Sequence, residues 1–375
     1  MHDAGLRLQR LVGDDQVARA TDTEFSVFLS GQREPEAIAS AYRMIDALSV
    51  PYQEAGVTLD IAPAVGIVLA PRHGTESTVL LRRAGVALLA ALGTEEPVVV
   101  YDEATDPHRP ERLSLMGELR EALDRGDLEL HYQPKLNLLT GQIDGAEGLV
   151  RWQHARLGNV PPDAFIALAE ETGNIRRLTR WAIASGISQA QRWNTGARPM
   201  RISINVSARD LDDTDLPRRI SELLALHRVA PEHILLEVTE SAVMDKPEAA
   251  IQILRKLADQ GIDLAIDDFG VGQSSFAYLR QLPVCELKID KIFIERIADA
   301  PADRTIVRSI VELGHHLGYR VTAEGVDNPQ TLEYLVGIGC DHAQGYLIAR
   351  ALPVDEFERM LESSAWVKVG RRAIA

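Results

Sequence analysis

The chain has 375 residues, 46% of them hydrophobic and 25% charged, and that length predicts two domains of ordinary size. Its formal net charge of -15 excludes non-specific binding to a nucleic-acid polymer or to an anionic membrane surface, because both require basic patches. It leaves an anionic small molecule open, since bound cations reverse a local field.

In chain order, Val17–Phe28 reads as a hairpin around Thr21-Asp-Thr-Glu24. Glu34–Leu48 is helical in period, Val57–Ala70 reads as two strand stretches broken at Pro63, Ser77–Leu92 is a second helix, and Pro97–Tyr101 is a last strand. These elements predict a small α+β unit over residues 1–103. The polar stretch Tyr101–Pro110, with two prolines, marks the boundary, and residues 104–111 are assigned as a linker. A helix is predicted at Glu111–Leu123, and then the pattern changes. Short apolar runs recur, most ending in a carboxylate or amide: Gly145-Ala-Glu147, Ile202-Ser-Ile-Asn205, Ile234-Leu-Leu-Glu237, Leu264-Ala-Ile-Asp267-Asp268, Leu287-Lys288-Ile-Asp290, Val321-Thr-Ala-Glu324 and His342-Ala-Gln344. Each run is strand-length and is followed by a helix-length amphipathic stretch. Such alternation predicts an α/β fold, a parallel, TIM-like (β/α)8 barrel, which gathers the C-terminal ends of its strands at one mouth. Carboxylates far apart in sequence would then share one site. Several carboxylates, an amide and a lysine at one mouth read as a divalent-metal site handling a phosphate ester.

Taken singly, each acidic residue reads as a helix cap or a solvated strand end, and Lys288 as an ion pair with Asp290 or Asp268. Neighbouring side chains on a strand point to opposite faces, so Asp267 and Asp268 reach one metal pair only where their strand ends. Cys285 and Cys340 are the only cysteines and make no disulfide framework, so a reducing cytoplasm is expected. No apolar run approaches membrane-spanning length, and the first residues lack the apolar core of a signal peptide, so no membrane association is expected.

Nine stretches add a further reading: Leu130-His-Tyr-Gln-Pro134, Gly145-Ala-Glu-Gly-Leu-Val-Arg-Trp152, Phe165-Ile-Ala-Leu-Ala-Glu-Glu-Thr-Gly173, Ile204-Asn-Val-Ser207, Leu236-Glu-Val-Thr-Glu-Ser241, Asp267-Asp-Phe-Gly270, Leu287-Lys-Ile-Asp290, Ala323-Glu-Gly-Val326 and Gln344-Gly-Tyr346. In this order they resemble an EAL domain, the family of cyclic di-GMP phosphodiesterases, to which residues 112–375 are assigned. The signature tripeptide reads Glu147-Gly148-Leu149, with glycine for the usual alanine. The resemblance implies Mg²⁺- or Mn²⁺-dependent hydrolysis of cyclic di-GMP to linear 5′-pGpG, using two ions, by a homodimer formed through this domain. It implies Glu147, Asn205, Glu237 and Asp267 as ligands of the first metal, and Asp268 as a bridge or a ligand of the second. Glu147, Lys288, Glu324 and Glu240 are the implied catalytic set, with Glu324 as proton acceptor and Glu240 anchoring the loop after Asp268. Gln133, Leu149, Arg151 and Gln344 are the implied contacts to the dinucleotide.

Two departures from the family pattern fall in that loop. Val271 stands where threonine is usual and Gln273 where an aromatic residue is usual. Valine neither donates nor accepts a hydrogen bond, so a non-catalytic cyclic di-GMP receptor is the alternative reading. Retention of every ligand position favours the enzyme. Residues 1–103 resemble the C-terminal half of a GGDEF domain, the family of diguanylate cyclases, through Val17–Phe28, Val65-Gly-Ile-Val68 and Leu80-Leu-Arg-Arg-Ala-Gly-Val-Ala-Leu88. The signature position reads Thr21-Asp22-Thr23-Glu24-Phe25, without both glycines and the metal-binding aspartate. Val12 stands where the family's inhibitory product site needs an arginine. No cyclase activity is expected of this unit, which reads as a regulatory or dimer-packing remnant.

Overall fold

The computed structural model describes residues 2–12, 16–21, 23–54, 57–92, 96–103, 106, 110–194, 199–272, 276–297 and 300–363. Asp22, linker positions 104–105 and 107–109, Gln273 and residues 364–375 lie outside the described residues. The chain divides into two compact units, residues 1–114 and 115–375.

In the first unit, α1 (His2–Val12) precedes the hairpin of β1 (Val17–Arg19) and β2 (Phe25–Val27), which pair antiparallel with Val17 opposite Val27. The helix α2 (Glu34–Leu48) follows, then the antiparallel pair β3 (Tyr52–Glu54) and β4 (Val57–Leu59). A βαβ unit of β5 (Val65–Ile67), α3 (Ser77–Leu92) and β6 (Val98–Val100) completes it, its two strands parallel. Ala37 and Ala41 of α2 pack on Ile67 and Val98, and these residues form the unit's small core. The sequence predicts no element over α1. Glycine weakens a helical signal, yet here a side chain at position 5 would come within 3.2 Å of the Phe25 ring.

The helix α4 (Pro110–Arg125) leads to β7 (Leu128–Asn137), β8 (Gln142–His154) and the short β9 (Gly158–Val160). Then come α5 (Pro162–Glu171), α6 (Ile175–Asn194), β10 (Arg201–Val206), α7 (Leu216–His227), β11 (Ile234–Thr239), α8 (Glu240–Asp245), α9 (Pro247–Ala258), β12 (Asp263–Phe269), α10 (Phe276–Leu279), β13 (Glu286–Ile289), α11 (Lys291–Ile294), α12 (Pro301–His316), β14 (Arg320–Ala323), α13 (Pro329–Gly337), β15 (His342–Ala343) and α14 (Val354–Glu362). The strands run in the order β10-β11-β12-β13-β14-β15-β7-β8, and β8 pairs back to β10, so the sheet closes into a barrel with β9 attached outside the ring. Every apolar run singled out in the sequence falls on one of these strands or its end.

The barrel differs from the all-parallel expectation at one strand. β7 is antiparallel to both neighbours, β8 and β15. The cause is the connection between β7 and β8, a turn over 138–141 far too short for the crossover that parallel neighbours need. Asn137 holds that turn by accepting from the backbone of Leu139 at 3.1 Å and Thr140 at 3.0 Å. Apolar residues facing outward, among them Ile202, Ile204, Leu236, Ile266, Leu287 and Val321, are buried under the helices. Close approach is set at Gly186 of α6, where a Cβ would meet the Ile204 side chain at 2.3 Å.

Candidate active site

Side chains alternate along a strand, so residues two apart share a face. On β8 this puts Glu147, Leu149 and Arg151 on one face, and on β7 it puts Gln133 and Lys135 on one face, with Gln133 directly opposite Glu147. Asn205 on β10 lies opposite Glu237 on β11. Thr239, two residues beyond Glu237, lies opposite Asp267 on β12. Lys288 on β13, Glu324 just past β14 and Gln344 just past β15 complete the mouth.

Lys288 is the hub. Its Nζ lies 2.6 Å from Glu324 Oε1, 2.7 Å from Glu237 Oε2, 3.1 Å from Asp267 Oδ1 and 3.6 Å from Glu147 Oε2. Taken alone in the sequence it read as a partner of Asp290 or Asp268; among the described residues its ion pairs are these four. Asp290 instead caps α11, accepting from Ile292 N at 2.7 Å. Burial works against the charge of Lys288, but Asp267, Glu147, Glu237 and Glu324 outweigh it and raise its pKa well above the ordinary value. Burial works to raise the Glu147 carboxyl, but Lys288, Lys135 and the hydrogen bond from Gln344 together hold it below its ordinary range. One lysine does not neutralise the whole cluster. Burial, with Asp267 and Glu147 adding to it against Lys288, pushes Glu324 up to about 8. Burial, with Asp267 and a hydrogen bond to Asp290, pushes Asp268 up to about 6.

Two groups of carboxylate oxygens lie within 4.8 Å of one another: Glu147, Glu237 and Asp267, and Asp267, Asp268 and Glu324. Asp267 and Asp268 thus do reach the same region, but not because β12 has ended. The strand runs on to Phe269 through a register shift between Ile266 and Phe269, and Asp268 sits at φ 53°, in the left-handed region. That irregularity turns a side chain which strict alternation would send to the other face. The amides complete the first group. Asn205 Nδ2 donates to Glu147 Oε1 at 2.8 Å, while Gln344 Nε2 donates to Glu147 Oε2 at 2.6 Å and to Gln133 Oε1 at 3.0 Å. Gln133 in turn donates to the Ala349 carbonyl at 3.1 Å. The half-buried Arg151 donates to its neighbour's carbonyl, Val150 O, at 2.9 Å.

Glu240 opens α8, and its Oε2 accepts from Gly270 N at 2.9 Å, so it does touch the loop after Asp268. Its Oε1 is buried and has no hydrogen-bond partner among the described residues. A Cβ at Gly272 would stand 2.6 Å from that oxygen, so a side chain there would displace the Glu240 carboxylate, and the Val271 side chain is 58% exposed.

The donor set suits a hard divalent cation. It is all oxygen, its carboxylates outnumber the one lysine among them, and Gln344 Oε1 is a buried acceptor with no partner among the described residues. Residues 116–351 match the family model described as "EAL domain", and the chain belongs to the EAL-domain family. It is 34% identical over 344 residues, 91% of this chain and 50% of the relative, to the bifunctional diguanylate cyclase/cyclic di-GMP phosphodiesterase MucR of Pseudomonas aeruginosa. It is 32% identical over 361 residues, 96% of this chain and 54% of the relative, to the cyclic di-GMP phosphodiesterase PdeR of Escherichia coli. The chain thus spans about half the length of these curated relatives. A solved structure described as "PaMucR Phosphodiesterase, c-di-GMP complex" superposes with a TM-score of 0.63 at 39% identity, covering 65% of this chain and 99% of that one.

Four polar residues deeper in the lumen escaped the sequence reading: Lys135, Arg201, Glu286 and Thr322. Lys135 Nζ lies 2.7 Å from Glu237 Oε1 and 3.3 Å from Glu286 Oε1. Thr322 donates to Glu286 Oε1 at 2.8 Å, and Arg201 pairs with Glu286 Oε2 at 2.8 Å. Branched apolar layers usually fill such a barrel. The available signal was the period of two: Lys135 follows Gln133 by two residues, and Glu286 precedes Lys288 by two.

Proposed function

We propose that this chain is a metal-dependent phosphodiesterase that opens cyclic di-GMP to linear 5′-pGpG, lowering the cellular level of the cyclic dinucleotide. The observation that carries this reading is the convergence of Glu147, Glu237 and Asp267 from three strands around Lys288. Glu147, Asn205, Glu237 and Asp267 would hold one Mg²⁺ or Mn²⁺ ion, and Asp268 with Asp267 a second. Such ions supply an acidified water and absorb charge on the phosphoryl oxygens. Glu324 would accept the proton released by the attacking water once bound cations bring it to the carboxylate form, its Oε1 lying 2.6 Å from the lysine at the mouth. Lys288 holds the carboxylates in place and adds a fixed positive charge near the developing phosphoryl charge. Gln133, Leu149, Arg151 and Gln344 contact the dinucleotide, Arg151 offering a fork to a phosphate or a guanine edge. The names of the relatives agree with this substrate. A receptor that only binds cyclic di-GMP has no use for this carboxylate set and is the less favoured reading. Turnover of cyclic di-GMP with Mg²⁺ or Mn²⁺, followed by separation of 5′-pGpG, is the direct test. Binding without turnover in the wild type would establish the receptor instead.

Ca²⁺ is expected to enter the site and hold the dinucleotide without cleaving it. It prefers 6–8 oxygens at roughly 2.3–2.6 Å, against about 2.0–2.1 Å in an octahedron for Mg²⁺, and it polarises water less. Inhibition competitive with Mg²⁺ is the expected kinetic pattern; brisk turnover with Ca²⁺ alone refutes it. In the loop, Val271→Thr is expected to raise kcat a few-fold if the exposed position 271 turns its new hydroxyl inward to the buried Glu240 Oε1, a hydrogen bond worth about 1 kcal/mol. Unchanged kinetics and unchanged metal dependence would remove Val271 from the account.

Residues 1–103 read as a degenerate half of a GGDEF domain. The alignments support this: 344 and 361 matched residues reach well beyond the EAL match at 116–351. The Glu147→Ala protein, unable to destroy product, is expected to make no cyclic di-GMP from GTP, and detection of that product overturns the claim. No helix among the described residues is long and apolar enough to cross a membrane. Two free cysteines fit a cytoplasmic protein. Light scattering tests the homodimer that family resemblance implies.

A further inference from the structure

We propose that Lys135 is a positioning residue for Glu237, gripping the carboxylate from beneath so that it faces the mouth in one fixed orientation. This inference rests on the reading of the mouth as a divalent-ion site. The chain has 40 basic residues, of which six are lysines, and among the described residues Lys135 and Lys288 are the buried ones.

The two lysines take opposite oxygens of Glu237. Lys135 Nζ donates to Oε1 at 2.7 Å and Lys288 Nζ to Oε2 at 2.7 Å. Glu237 is fully buried, so its carboxylate has no water to turn toward. Lys135 is itself anchored from the far side. Glu286 Oε1 lies 3.3 Å from Nζ, and Glu286 is held by Thr322 at 2.8 Å and by Arg201 at 2.8 Å. Arg201 is fixed in turn by Asp263 at 2.7 Å. A chain of charge-assisted contacts therefore runs from Asp263 through Arg201, Glu286 and Lys135 to Glu237. Partners that orient a metal-binding side chain typically change metal affinity by roughly 10–100-fold when lost.

The test must separate orientation from charge. Lys135→Met alone frees Glu237 but also removes a positive charge, which by itself strengthens attraction for a cation. Lys135→Met with Glu286→Gln removes one charge of each sign, so the net charge stays the same and the grip on Glu237 Oε1 is lost. With the fold checked by circular dichroism, calorimetry of Mn²⁺ binding is expected to show affinity weakened by roughly 10–100-fold. The KM for cyclic di-GMP is expected to stay close to wild type, and kcat to recover at saturating Mn²⁺. A folded double variant with wild-type Mn²⁺ affinity overturns the proposal and leaves the proposed function standing. A wild type that binds no Mn²⁺ removes the ion site itself and this inference with it. Should the double variant fail to fold, the six lysines make side-chain ¹⁵N spectra of the wild type tractable. Mg²⁺ is expected to shift the Lys135 Nζ resonance, and a Lys135 signal that stays put while that of Lys288 moves overturns the proposal.

Discussion

Replacing Glu147 or Asp267 by alanine is expected to remove at least about 99.9% of cyclic di-GMP turnover while the barrel stays folded. Each contributes an oxygen to the group of three lying within 4.8 Å, and Asp267 contributes to the second group as well. An ion short of one carboxylate loses charge compensation and the fixed geometry that catalysis needs. A loss of about 4 kcal/mol in transition-state stabilisation corresponds to roughly a thousandfold in rate. The fold tolerates the change because Lys288 keeps three other carboxylates in either variant. Removing one of several crowded negative charges also relieves repulsion, since Asp267 and Glu147 both add to the burial that pushes Glu324 up to about 8. The check is product formation by chromatography beside a thermal melt. Turnover within tenfold of wild type in a folded variant would take that residue out of the ion site.

Lys288→Met is expected to have the second large effect, on stability and activity together. The side chain is fully buried, and methionine matches its length without its charge. Glu147, Glu237, Asp267 and Glu324 would then face one another with no shared cation from the protein. Breaking a buried ion pair by removing one partner typically costs about 3–5 kcal/mol. For the unit spanning residues 115–375 that corresponds to a fall in Tm of roughly 5–9 °C. Turnover is expected to fall by about a thousandfold or more, the fixed charge at the mouth being gone. The informative measurement is the rise in Tm on adding Mn²⁺. A divalent ion replaces the missing positive charge, so the rise should be larger in Lys288→Met than in wild type. An equal or smaller rise would show that Lys288 and the ion do not answer the same carboxylates.

Sequence alone determined the architecture and most of the mouth, because both depend on local pattern. Apolar runs of strand length followed by amphipathic helices specify a closed α/β barrel by burial alone. Strand ends in such a barrel converge whatever the loops do, so Glu147, Asn205, Glu237, Asp267, Lys288, Glu324 and Gln344 were legible as one set. The tertiary structure decided what depends on partners across the ring. The direction of β7 follows from a four-residue turn and from its pairing with both β8 and β15. The turn of Asp268 into the site follows from a register shift against β13, which no property of the dipeptide Asp267-Asp268 announces. The surroundings of the second Glu240 oxygen are likewise a matter of approach, since a Cβ at Gly272 would stand 2.6 Å from it and it has no partner among the described residues. The charged lumen beneath the mouth was hidden for the same reason. Lys135, Glu286, Arg201 and Thr322 come from four different strands, and a buried charge is tolerable only when its partner arrives from elsewhere in the fold.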